Sequence, residues 1–524
     1  MQCSRVRAPG ACVAPPTERV DETPMNREHS PPLPRDQSNT PPSAADDHPG
    51  DVPAAEFRAA MHRAADEIAD YLEGVRAYPV VPQITPGMVR QRLPQHPPHE
   101  PEPLANLLDD FRRLIAPNTT HWNHPGFMAY FPVTGSGPGI LGEALAAALN
   151  VNAMLWRTGP VQTELEEHVC DWVRQMVDLP AAFRGHINDT ASISSLLALA
   201  AARERVAGLD IRRRGMAGRS DLPALTVYCS DQAHSSIDKA AVTLGFGLEN
   251  LRRIESDEAF RLRIDALEAA IKSDKVAGRR PVAIVATLGT TSTTSVDPLR
   301  ELAAIARRED MWLHVDGAYA LSAGICPEFR PLMDGLGDAD SIVTNPHKWL
   351  FVPVDCSLLF VRDPALLRRA FSIIPDYLTT TETGVTNLMD YGVQLGRRFR
   401  ALKLWFVLRA FGVRGLQERI RFHCRLAQDF AAWVDAEPAL VRVAPVPFST
   451  VCFRATPPGA PEEQDALNER LLATINAAGP VFLSHTRLRG RYVLRLTVGN
   501  LRTAAADLAT AQALIRQGLA ALVS

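Results

Sequence analysis

The 524-residue sequence predicts an α/β fold: a mainly parallel sheet sandwiched by helices, with an N-terminal helical segment and a smaller C-terminal α+β domain. Three observations carry that expectation. Short β-rich runs alternate with helical segments through the middle of the chain, as strand–helix–strand units do. Those runs are apolar throughout instead of alternating, as expected of strands covered on both faces. Beyond Leu402 the alternation gives way to one long helix, two strand-like runs, a helix and a hairpin. The expected organisation is a Pro-rich leader over 1–50, a helical segment over 51–136, a large α/β domain over 137–402 and a small α+β domain over 403–524.

The leader holds ten of the 41 prolines among Asp, Arg, Ser and Thr, and is expected to be disordered because it has too little apolar area to offset its ordering entropy. It also lacks the apolar core of a secretory signal. From Phe57 to Val75, apolar residues recur every three or four positions (Met61, Ala64, Ile68, Leu72), which places them on one helical stripe that needs a covering surface. A second helix is expected over Leu104–Ile115, after a Pro-rich connector. Further helices are expected over Ile140–Asn150, Thr163–Val177, Ser192–Ala207, Arg263–Lys272 and Pro298–Arg308. The strands expected are Leu225–Cys229, Pro281–Thr287, Met311–Val315, Ser341–Thr344 and Ser357–Val361. In the C-terminal part they are Leu440–Pro445, Thr450–Arg454 and a hairpin over Val481–Val498, before a terminal helix.

Composition excludes several classes of partner. Lys plus Arg number 56 against 59 Asp plus Glu, a formal charge of −3 that gathers neither nucleic acid nor an anionic membrane surface. Mean hydropathy is −0.07 and no unbroken apolar run approaches twenty residues, so no membrane-spanning helix is expected. The eight cysteines show no CxxC and no zinc-like spacing, so reduced thiols in a cytoplasmic protein and no metal site are expected.

In an α/β sheet, ligands gather beyond the carboxyl ends of the strands. Four apolar runs here end in polar groups. Val227-Tyr228-Cys229 leads to Ser230-Asp231-Gln232-Ala233-His234-Ser235-Ser236, and Ile284-Val285-Ala286-Thr287 to Gly289-Thr290-Thr291. His314-Val315 leads to Asp316-Gly317-Ala318-Tyr319, and Ile342-Val343-Thr344 to Asn345-Pro346-His347-Lys348-Trp349. Lys348 lies between apolar stretches, a setting that disfavours the ammonium form and makes the amine nucleophilic.

These motifs, in this order, resemble the pyridoxal-phosphate-dependent group II amino-acid decarboxylases, and most of all the aromatic-L-amino-acid decarboxylases. The resemblance runs from about Phe57 to the C-terminus and includes His124-Pro125-Gly126-Phe127, Thr163-Glu164-Leu165-Glu166 and Gly396-Arg397-Arg398-Phe399. It implies the fold-type-I transferase architecture and pyridoxal 5′-phosphate as cofactor. It implies Lys348 as the lysine that carries the cofactor, Asp316 as the carboxylate under the pyridine nitrogen, and His234 as the imidazole over the ring. Thr291 and Ala318 match positions lining the ring. Thr190, Ala191 and Ser192, at the start of a helix, match the phosphate position, with Asn345 and His347 as additional phosphate-side groups. Asp189 stands where a glycine is frequent and is expected to cap the helix, turned away from the phosphate. Tyr377, 29 residues after Lys348, matches a mobile-loop tyrosine that returns a proton to carbon, within a polar stretch reaching Gly384.

The reaction so implied is decarboxylation of an L-amino acid to the amine and CO2. Trp122, Tyr130, Phe131, Pro132, Val133 and Met154 match substrate-pocket positions and suit a flat ring, and Gly396 leaves room for one as large as indole. An aromatic substrate (tryptophan, dopa, tyrosine or phenylalanine) is therefore expected. Two alternatives stay open: an acidic amino acid paired to the basic Arg157, or an aldehyde-forming enzyme, although the latter replaces either the histidine or the tyrosine. The resemblance further implies a homodimer whose N-terminal helices embrace the partner.

Overall fold

The computed structural model describes residues 50–373 and 382–523. The expected disordered leader and Tyr377 fall outside the described residues. Seven strands form the large sheet: β1 (Arg184–Asn188), β2 (Leu225–Ser230), β3 (Leu251–Ile254), β4 (Arg280–Thr287), β5 (Trp312–Asp316), β6 (Ser341–Thr344) and β7 (Ser357–Val361). Their spatial order is β1-β7-β6-β5-β4-β2-β3. The neighbours from β3 to β6 pair in parallel, whereas β7 runs antiparallel to both β6 and β1. The carboxyl ends of β1, β2, β4, β5 and β6 therefore open on one edge of the sheet.

Most of these strands are buried along their whole length, which is why their sequences are apolar runs without alternation. Two strands escape the sequence pattern. The edge strand β1 carries Arg184, Gly185 and His186, and β3 reads Leu-Arg-Arg-Ile, so neither offers an apolar run. β1 is held instead by side chains. Glu166 accepts the Ile187 N–H at 2.8 Å, Arg397 donates to the Ile187 carbonyl at 2.6 Å, and these two residues form a buried ion pair at 2.7 Å. The basic run after Gly396 is thus structural, and Arg400 likewise pairs with Asp355 at 2.7 Å.

The second sheet is antiparallel throughout, in the order β10-β11-β9-β8: β8 (Leu440–Arg442), β9 (Thr450–Ala455), β10 (Ser484–Leu488) and β11 (Arg491–Thr497). The helix Arg400–Ala436 joins the two layers and runs across the expected 402/403 boundary. Its first half (Leu404, Val407, Leu416) belongs to the core of the large sheet and its second half (Phe430, Val434) to that of the small sheet. Gly412, at φ +62° and ψ 172°, breaks the helical backbone within the first half, a conformation open to glycine.

The N-terminal stripe forms the helix Ala54–Gly74, in which no residue is buried; Met61 and Ile68 stay exposed. The second expected helix is shorter, Leu104–Asp110, and continues as a π-turn over Phe111–Ile115. In the helix Gly137–Leu149, started by Ser136 accepting the Gly139 N–H, Leu141, Leu145 and Leu149 form an exposed stripe four residues apart.

Candidate active site

The strand ends open into a cavity of about 460 Å3. Register builds its inner wall, because β4 and β5 pair with Thr287 opposite Asp316, and β5 and β6 with Asp316 opposite Val343. Asp316 is buried, and its Oδ1 accepts the Ala318 N–H at 3.1 Å. Two residues earlier His314 ties three elements together. Its Nδ1 lies 2.8 Å from Ser341 Oγ on β6, and its Nε2 lies 3.1 Å from Ser195 Oγ on the helix Ala191–Arg205. Burial pushes this imidazole down to about 4, so it is neutral and acts as a fixed strut.

Beyond β6, Lys348 sits on the short turn Pro346–Trp349, with Nζ 5.1 Å from the centroid of the Phe131 ring. Desolvation lowers the pKa of its amine and Asp316 opposes that shift, while the Arg495 charge adds to it. His347 lines the same wall. Its Nδ1 accepts the Cys356 N–H at 2.9 Å, and burial depresses it to about 3, leaving a neutral ring with its proton on Nε2. His234 lies at the end of β2. Its Nδ1 accepts the Ser236 N–H at 3.1 Å, and partial desolvation lowers its pKa.

At the end of β1, Thr190, Ala191 and Ser192 line the cavity as the helix Ala191–Arg205 begins. Here the expectation for Asp189 needs correction. The capping residue is Thr190, which makes no side-chain capping bond. Asp189 precedes it, its Oδ1 accepting from the Thr190 N–H and hydroxyl, and its Oδ2 from Gln394 at 3.1 Å. The carboxylate is thereby tied outside the cavity lining, and the first-turn N–H groups keep no side-chain competitor.

Among the residues expected from sequence, the structure gathers Lys348, Asp316, His234, Thr190, Ala191, Ser192, Thr291, Ala318, Asn345 and His347 around this cavity, with Trp122, Tyr130, Phe131 and Val133. Pro132, Met154 and Gly396 do not line it within one chain. Met154 packs with Leu155 and Met389, and Gly396 borders a different cavity beside Arg397. Arg157 does not line it either and lies 3.5 Å from Glu382, an ordinary ion pair. Tyr377 lies outside the described residues.

Arg495 on β11 was not anticipated. Its guanidinium lies 4.6 Å from the Phe131 centroid, on the same ring that Lys348 approaches. Nε donates to the Ser292 carbonyl and Nη1 to that of Tyr130, whereas Nη2 is buried without a partner among the described residues. The available signal was an arginine inside the otherwise apolar run Tyr492-Val493-Leu494-Arg495-Leu496. Tyr319 was also missed; it stacks between Phe131 at 4.1 Å and Trp349 at 4.5 Å.

The family model described as the pyridoxal-dependent decarboxylase conserved domain matches residues 86–456. The chain belongs to the pyridoxal-dependent decarboxylase family. It is 42% identical over 464 residues to tyrosine decarboxylase 4 of Petroselinum crispum, covering 86% of this chain and 90% of that one. It is 41% identical over 450 residues to phenylacetaldehyde synthase of Arabidopsis thaliana, covering 84% and 90%. The crystal structure of Oryza sativa TDC with PLP and tryptamine superposes with a TM-score of 0.87 at 36% identity, over 91% of this chain and 100% of that one. The family decarboxylates with pyridoxal phosphate, and the cavity fits that group. A lysine with a depressed pKa and a buried carboxylate share it with an uncapped helix start, and the Thr287 hydroxyl and Asn345 Oδ1 are buried there without partners among the described residues.

Proposed function

We propose that this enzyme decarboxylates aromatic L-amino acids to arylalkylamines and CO2. The observation that carries the reading is one cavity with chemical groups on its strand-end wall and the rings of Trp122, Tyr130 and Phe131 on the other. In this reading Lys348 would hold pyridoxal phosphate, with Asp316 as the partner of its ring nitrogen and His234 as the group that packs on the ring. Thr190, Ala191 and Ser192 on the first turn would hold its phosphate, together with Asn345 and His347 from the same cavity lining. When bound, that cofactor supplies a cationic ring that takes up the electron pair left by departing CO2.

The remaining work falls to the chain. The Asp316 carboxylate would face the ring nitrogen and favour its protonated form, and desolvation lowers the pKa of the Lys348 amine, which favours its exchange with the substrate amine. His234, whose pKa desolvation lowers and whose Nδ1 accepts the Ser236 N–H, would present its Nε2 side to the cofactor and substrate. Tyr377 is assigned the proton return at that carbon, following the family motif. An acidic substrate is disfavoured because Arg157 is engaged by Glu382 outside the cavity.

The functional unit in this proposal is a homodimer. Trp122 and Tyr130 leave the cavity open on one side, at 37% and 54% exposure, and the leucine stripe of Gly137–Leu149 together with Met61 and Ile68 offers apolar area to a second copy. Such a copy would also bring Met154 and Gly396 to the substrate. Product analysis of purified protein with tryptophan, dopa, tyrosine, phenylalanine, histidine and glutamate tests the reading. Amine from the aromatic set is expected; turnover confined to glutamate, or peroxide and ammonia in place of amine, overturns it.

A further inference from the structure

A second cavity, of about 640 Å3, lies at the β1 edge of the large sheet and shares no lining residue with the first. Its floor is apolar, from Phe183, Phe360, Leu367 and Leu388. Gly185 is what lets this floor close, because a Cβ there would come within 2.8 Å of both Cys170 and Phe360. An apolar floor of this kind accepts a flat ring.

The polar groups around it are unevenly engaged: Arg174 is held by Asp171, and Arg184 is turned to the Ala181 and Phe183 carbonyls. His186 is 6% exposed; its Nε2 accepts from Asn188 Nδ2 at 3.3 Å, so its proton sits on Nδ1, which has no partner among the described residues. The Tyr391 hydroxyl likewise makes no hydrogen bond among them, and its ring centroid lies 6.0 Å from that of His186. Of the two carboxylates, Asp171 is taken by Arg174 at 2.7 Å and Gln175 at 2.6 Å. Glu167 accepts only the Thr386 hydroxyl and pairs with no cation among the described residues. A carboxylate without its cation, set beside aromatic faces, is the chemistry that selects an organic ammonium.

We propose that this cavity is a second ligand site, for a compact aromatic ring bearing an ammonium group. The ring lies on the Phe183–Phe360 floor and the ammonium on Glu167 and the face of Tyr391. Occupancy reaches the strand-end cavity through one line of hydrogen bonds. Asn188 Nδ2 meets both His186 and Ser194 Oγ (3.0 Å), and Ser194 stands on the helix whose first turn lines that cavity. The ligand chemistry follows from this cavity alone; that the ligand is the enzyme's own product, so that the site reports amine accumulation, rests on the function proposed above.

Equilibrium dialysis of labelled tyramine against the cofactor-loaded full-length protein tests the site in three forms: unaltered, Ala181→Trp and Glu167→Gln. Both substitutions fall on exposed rim positions that leave the core intact. One class of tyramine site per chain is expected to disappear in Ala181→Trp and to weaken about tenfold in Glu167→Gln, as the loss of a charge-assisted contact implies. N-acetyltyramine, which lacks the ammonium, is expected not to compete for that class. Tyramine binding unchanged by Ala181→Trp, or equal competition by N-acetyltyramine, overturns the proposal. Either outcome is independent of the substrate panel, so failure here is distinguishable from failure of the decarboxylation reading.

Discussion

The two walls of the strand-end cavity are built in opposite ways. On the inner wall Asp316, Asn345 and His347 are buried at strand ends whose register sets their spacing; the Asp316 and His347 side chains each accept a backbone N–H, and the Asn345 main chain donates to the Ala318 carbonyl. On the outer wall Trp122 and Tyr130 come from a loop and remain half open, and Tyr130 sits at φ +52°, a left-handed backbone that a tyrosine adopts at a cost. The difference teaches where tolerance lies. In our proposal, groups that do chemistry rest on rigid elements, while groups that select a ring rest on loops and on a second copy.

Substitutions of decreasing consequence probe that contrast. Lys348→Ala is expected to reduce turnover to background; amine release under saturating substrate measures it, and borohydride trapping of the cofactor on the chain should vanish in parallel. Next comes Tyr377→Phe, expected to shift products from amine toward aldehyde, with peroxide and ammonia. Unchanged amine formation would remove the tyrosine from proton return. On the structural side of the inner wall, Glu166→Ala strands the buried Arg397 and frees β1, so a loss of about 3–5 kcal/mol is expected in denaturant melts. A loss below 1 kcal/mol would show that β1 does not depend on that pair.

On the outer wall, Trp122→Ala is expected to lower kcat/KM for the largest ring about tenfold more than for phenylalanine, with kcat itself little altered, since truncating an apolar pocket costs on the order of 1–3 kcal/mol of discrimination. Equal losses for all substrates would place Trp122 outside ring selection. The smallest effect belongs to the surface pair Arg421–Glu328 at the far side of the core, where Arg421→Ala should cost no more than about 1 kcal/mol. The guanidinium holds Glu328 down at about 2 against an ordinary 4.5, so the pair's contribution is full above pH 4.5 and is lost as pH falls toward 2. Thermal melts of both proteins across that window should converge at its acid end.

The elements legible in the sequence were those whose burial leaves a pattern. β2, β4, β5, β6 and β7 are apolar runs because both faces are covered, and they appear within a residue or so of expectation. β1 and β3 left no such trace: an edge strand sealed by Glu166 and Arg397 needs no apolar run. The cavity residues that follow predicted strands were legible for the same reason. Arg495 was not, because its partners are a ring and two carbonyls from distant parts of the chain.

By itself, then, the sequence determined the layered α/β class, the strand ends that carry Lys348, Asp316 and His234, and the family those motifs belong to, since short-range order and periodic burial are written locally. Only the tertiary structure decided that Asp189 is tied back by Gln394, that Arg157 is spent on Glu382, and that a guanidinium from the small sheet shares the Phe131 ring with the amine. Those outcomes depend on contacts between segments far apart in the chain, and no local pattern specifies a partner that folding has yet to bring near.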